Sequence, residues 1–180
     1  MTTLRHAFVA LTLATVFASA NATTPTPLGM TIGTTSCADA MKRIGASKLE
    51  GGKAPGQGVA EAADPSAVYA GATNVLAVCG EGKLVAVVME LSKGGMGNPA
   101  AREVFGTLSS KYKRLAGGAI PTVGDGYARF ESDGVVVELK APHLSFEFTL
   151  TYADKGLWER TERSKNQRAD AEKKAKDNAL

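Results

Sequence analysis

Ten consecutive residues, His143 to Tyr152, alternate without a fault. Leu144, Phe146, Phe148, Leu150 and Tyr152 are apolar; His143, Ser145, Glu147, Thr149 and Thr151 are polar. Neighbouring side chains on a strand point to opposite faces, so this run predicts a strand with one buried face and one wet face. That pattern belongs to an antiparallel sheet with one solvated side. A second run, Leu84 to Leu91, is apolar at nearly every position and predicts a central strand covered on both faces. It is preceded by the strand Asn74–Cys79 and the turn Gly80-Glu81-Gly82-Lys83. Another hairpin follows the same plan. Tyr127–Phe130 leads into the turn Glu131-Ser132-Asp133-Gly134, and Val135–Leu139 returns. Ala141-Pro142 then interrupts the sheet.

Two helices are marked by their ends. Ser36, with Asp39 three residues on, has the form of a capping box. Cys37, Ala40, Met41 and Ile44 then recur on one helical face until Gly45 ends it. Asn98 as N-cap and Pro99 at the first position open a second helix. Its buried stripe is Ala101, Val104, Phe105, Leu108 and Tyr112, with Lys111, Lys113 and Arg114 complementing the dipole at its C-terminal end. Residues 46–66, rich in Gly, Ala and Pro, read as loop with one irregular strand. The expected fold is α+β: a single antiparallel sheet with two helices packed on one face. Each helix is followed by a hairpin whose second strand ends in Glu-Leu, at 90–91 and at 138–139, which suggests a tandem helix–hairpin repeat or a chance likeness. Residues 153–180 form a charged C-terminal helix, docked at its start by Leu157 and Trp158.

The first 22 residues have the build of a secretory signal peptide. Arg5 supplies a positive charge, Ala7–Ala18 an uncharged apolar stretch, and Ala20-Asn21-Ala22 the small-x-small site. The stretch is shorter than the ~20 residues a spanning helix needs. Cleavage after Ala22 is expected, followed by a Pro/Thr linker at 23–29 and a domain at 30–152. No cysteine near the cleavage point offers a lipid anchor. Export to the periplasm or the medium places Cys37 and Cys79 where disulfides form. Cys37 points inward from the first helical turn and Cys79 closes a strand, so a bridge between them is expected, with two separate buried thiols as the alternative.

Charge narrows the function classes. Residues 23–152 carry twelve basic and twelve acidic residues, so the body has no nucleic-acid footprint. The tail mixes both signs, as solvated surface does. Chemistry is sparse. No GxSxG elbow, HExxH helix or Walker loop occurs, and the spacing of Cys37 and Cys79 fits neither CxxC redox chemistry nor zinc. His143 with Glu147, or Cys37 as a helix-terminal nucleophile, is all an enzyme reading has. No catalytic residue, metal ligand or cofactor site is therefore expected. The wet face bearing His143, Glu147, Thr149 and Thr151 is the candidate partner-binding surface.

The stretch Leu28-Gly29-Met30-Thr31-Ile32-Gly33, followed by a short helix and Gly45, resembles the opening of small bacterial envelope domains. These are the domains similar to the β-lactamase inhibitor protein and to the outer-membrane assembly lipoproteins. The resemblance implies a helix-plus-sheet module that holds a partner on an open sheet face. It transfers no functional residue, and the lipidated cysteine is missing here. The resulting expectation is a non-enzymatic periplasmic binding or accessory protein, whose partner is an envelope or secreted protein. The alternatives are a secreted inhibitor or immunity protein directed at a hydrolase, and a small periplasmic hydrolase or redox enzyme.

Overall fold

A computed structural model describes residues 23–54 and 56–177. The signal-peptide reading of residues 1–22 lies outside them, as does the end of the charged helix at 178–180. Seven antiparallel strands form one sheet: β1 (Gly58–Glu61), β2 (Ala72–Gly80), β3 (Lys83–Ser92), β4 (Lys113–Gly117), β5 (Gly126–Ser132), β6 (Val135–Ala141) and β7 (Glu147–Asp154). Their spatial order is β1-β2-β3-β7-β6-β5-β4. The helices are α1 (Cys37–Ile44), α2 (Pro65–Val68), α3 (Pro99–Lys111) and α4 (Lys155–Asp177). Each half begins with a helix, lays down an edge strand, and then meanders inward to meet β7.

Residues of opposite face separate cleanly along the register. Ala77, Val87, Tyr152, Val137 and Phe130 lie in one cross-strand row, and Val75, Met89, Leu150, Leu139 and Ala128 in the next. With Ala40 and Ile44 of α1 and Ala101 and Leu108 of α3 these make the core. Phe105 of α3 meets Phe130 at 5.9 Å between ring centroids, the two ring planes tilted by 53°. Cys37 and Cys79 are joined in a disulfide that ties the start of α1 to the end of β2, with Cα atoms 5.7 Å apart.

Local chemistry explains the boundaries. The Ser36 hydroxyl accepts the Asp39 N–H at 3.1 Å, and Gly45 closes α1 in the left-handed region at φ 67°. Both hairpins turn on two residues with positive φ, Glu81-Gly82 and Asp133-Gly134, the pairing that a right-handed strand twist favours. Asp154 ends β7 and caps α4, its carboxylate accepting the Leu157 N–H at 2.8 Å.

Several expectations need correction. Residues 23–29 do not hang free as a linker: Pro25 and Pro27 are buried, and the Thr23 carbonyl accepts the Ser132 hydroxyl at 2.9 Å. Asn98 does not cap α3 with its side chain. It adopts φ 55° and donates its amide to the Pro121 carbonyl at 2.8 Å. Lys113 and Arg114 are not helical but open the edge strand β4, whose Lys, Arg and Gly hide its strand character. The alternating strand starts at Glu147, not His143, because Pro142 to Ser145 close a turn in which the Ser145 N–H reaches the Pro142 carbonyl at 3.3 Å. Leu144 and Phe146 are consequently 93% and 92% exposed instead of buried.

Candidate binding cleft and the apolar loops at its end

α1, α2 and α3 cover one face of the sheet, but they leave a gap over its middle. There the strand order places β3 beside β7, between the two helical halves. The gap is a cleft of about 500 Å³, within the ~300–1,000 Å³ usual for ligand sites. Leu91, Phe148 and Leu150 line its floor, and Val104 and Leu108 of α3 form one wall. Tyr69, 41% exposed, stands on the other side with Ala70 and Gly71. Glu103 is the single charged side chain of the lining.

Tyr152 completes the floor, and burial pushes its hydroxyl well above the ordinary phenol range, with Tyr112 and Tyr69 adding to the effect. Burial raises Tyr112 as well. At neutral pH the cleft therefore presents neutral phenols on an apolar bed. It suits apolar or aromatic groups that also accept or donate a hydrogen bond.

The residues expected to form a partner-binding face are divided. Glu147, Thr149 and Thr151 do share a face, the one opposite the cleft, where Thr149 lies between Glu90 and Lys140 and Thr151 between Val88 and Glu138. His143 is not with them. It lies in the loop before β7, its Nδ1 accepts the Gly124 N–H at 3.1 Å, and its own N–H goes to Asp125 at 2.6 Å. That opposite face is also not open throughout, because α4 returns across β7 and β6. Trp158 stacks on Arg129 at 4.6 Å, and Glu138 beneath is only 8% exposed. Leu157 lines a hollow with Val78 and Val85. Beyond Glu162 the helix is exposed on all sides.

One end of the sheet carries a feature missed in the sequence. Segments 93–98, 118–125 and 142–146 meet there and bond to one another in pairs. Lys93 N–H reaches the Phe146 carbonyl at 2.9 Å, Asn98 reaches Pro121, and His143 joins Gly124 and Asp125. Lys93, only 4% exposed, also donates its ammonium to the Pro142 carbonyl. The interruption at Ala141-Pro142 was read from the sequence, but the turn it opens runs on to Ser145 and takes the first residues of the alternating run. A proline immediately before an alternating run restricts its neighbours and starts a turn.

Among the described residues no group of three or more His, Cys, Asp or Glu is placed to hold a metal ion. No helix among them is long and apolar enough to cross a membrane. No family model, curated protein or solved structure matches this chain.

Proposed function

We propose that this protein is an exported, non-enzymatic binding or accessory protein of the bacterial envelope, and that the cleft between Tyr69 and α3 receives apolar side chains of a polypeptide partner. The cleft carries this reading. It lies over the central strands beside α3, and its lining has one charge and the aromatic side chains of Tyr69, Phe148 and Tyr152. Buried aromatic and aliphatic anchors in such pockets dominate protein association energies. The disulfide fits an oxidising compartment, and so supports export. The groups that an enzyme would use are engaged elsewhere: Cys37 is bonded to Cys79, and His143 Nδ1 takes a backbone N–H. An inhibitor or immunity protein is the special case in which the partner is a hydrolase.

The test is capture from an envelope fraction with two baits of matched melting temperature, the native protein and Val104→Trp, which fills the cleft. A protein retained by the first and lost with the second supports the reading, and one-to-one inhibition of a captured hydrolase assigns the special case. An identical set of captured proteins would rule the cleft out.

A further inference from the structure

The three interlinked loops at the end of the sheet hold four apolar side chains out in solvent. Met96 is 100% exposed, Leu144 93%, Phe146 92% and Val123 74%. Isolated exposed apolar residues are ordinary, but four gathered on one end of a domain mark an interaction surface. We propose that this end docks peripherally on a lipid surface, with Met96, Val123, Leu144 and Phe146 entering the apolar layer. The proposal is independent of the cleft and its partner.

The shape favours lipid. The four residues stand on three loops, Leu144 and Phe146 sharing one, and their high exposure makes them tips, not the walls of a groove for a peptide to fill. A fluid bilayer closes around convex tips, whereas a folded partner needs a matching pit for each. The area argues the same way against a second copy of the chain. Four such side chains offer on the order of 500 Å², short of the ~800 Å² per partner of a stable interface.

The chemistry also fits. Segments 93–98, 118–125 and 142–146 carry Lys93, Asp125 and His143 as their ionisable side chains. Lys93 is already buried against the Pro142 carbonyl and Asp125 accepts the His143 N–H, so only a small charge must be desolvated. Backbone groups entering an apolar layer need internal partners, and several here already have them. The Lys93 N–H is taken by Phe146, the Gly124 N–H by His143, the Ser145 N–H by Pro142, and the Glu147 N–H by the Ser145 hydroxyl at 3.0 Å. Lys93 ties the 142–146 loop from beneath through the Pro142 and Phe146 carbonyls. Among the described residues the first two, Thr23 and Thr24, bond to Ser132 and Asp133 at the opposite end of β5.

The experiment uses the protein as the producing cell exports it, with phosphatidylcholine vesicles and with vesicles in which phosphatidylglycerol replaces part of that lipid. Trp158 is the only tryptophan and lies under α4, away from the tips. A Phe146→Trp variant therefore reports on the tip by quenching with brominated phosphatidylcholine. Quenching in that variant but not in the native protein is expected. Leu144→Ser with Phe146→Ser is expected to lower partition by on the order of tenfold to a hundredfold at unchanged melting temperature. Partition should survive high salt and need no anionic lipid. Absence of quenching, equal partition of the serine variant, or loss of binding in salt each overturns the proposal. So does a dimer, or a complex with a captured protein, that the serine variant dissolves while vesicles are ignored.

Discussion

The indole of Trp158 lies over the guanidinium of Arg129, 4.6 Å from ring centre to charge carbon, and so fastens α4 across the face of the sheet opposite the core helices. Arg129 Nε is buried there with no hydrogen-bond partner among the described residues, which leaves the ring as its main compensation. Trp158→Ala is expected to cost about 1–2 kcal/mol and to release α4. Amide hydrogen exchange would show protection lost in residues 155–162 while β5 and β6 keep theirs.

The same helix carries a pH-sensitive contact. Glu162 is held below the usual carboxylate range by its hydrogen bond to Lys165, against a smaller opposing effect of burial. A carboxyl with a lowered folded pKa stabilises above its unfolded value and loses that contribution as pH falls through the folded one. Because both partners lie in α4, the helix itself should fray more readily around residues 162–165 on acidification below the ordinary carboxylate range. Glu162→Gln should flatten that dependence in exchange measured across acid pH.

Tyr152 has the opposite sign. Its raised pKa contributes stability fully below the ordinary phenol range, and the contribution is lost as pH rises from there toward the folded value. Its ionisation should appear as a late step in an ultraviolet phenolate titration, well above the ordinary phenol range. Tyr152→Phe should remove that late step, and leave the steps of the others in place.

The bridge between Cys37 and Cys79 closes a separation of 42 residues. In the chain-entropy account such a closure is worth up to about 4 kcal/mol, and less where the native state is strained. Cys37→Ser with Cys79→Ser should lower denaturant stability by about 2–4 kcal/mol. Alkylation of the native protein without reductant should add no mass.

Phe130 is fully buried and faces Phe105. Phe130→Ala is expected to cost about 3–5 kcal/mol, the largest loss of any substitution named here. It should unfold the sheet cooperatively instead of releasing one helix, a difference that coincident near- and far-ultraviolet circular dichroism melts would register.

Local patterns carried most of the fold. Alternation over His143–Tyr152, correct from Glu147 onward, the two-sided apolar run Leu84–Leu91 and the two glycine-bearing turns identified strands without any neighbour in view. Ser36, Asp39 and Gly45 delimited α1 in the same way. Where the local reading failed, a longer-range contact had overruled it. Asn98 does stand at the N-cap position of α3, but its amide is drawn to Pro121, 23 residues away, and not to a helix N–H. Lys113 and Arg114 resemble a helix end, but β5 recruits them as an edge strand through the pairs Lys113–Glu131 and Arg114–Phe130.

The candidate sites were less legible still. Leu144 and Phe146 obey the strand alternation, and only the loops around them decide that they face solvent. The cleft exists because β7, last in sequence among the strands, inserts between β3 and β6 at the centre of the sheet. No periodicity encodes that insertion, since strand order depends on which hydrogen-bonding edges meet after the hairpins have formed. What the sequence by itself determined is therefore the set of elements, their inward faces and the two cysteines placed to meet. The tertiary structure alone decided the order of the strands, the covering of the second face by α4, and the gap and the apolar tips left uncovered. The physical reason is range. Side-chain period and caps act within a few residues, whereas burial and exposure are set by surfaces that arrive from the far end of the chain.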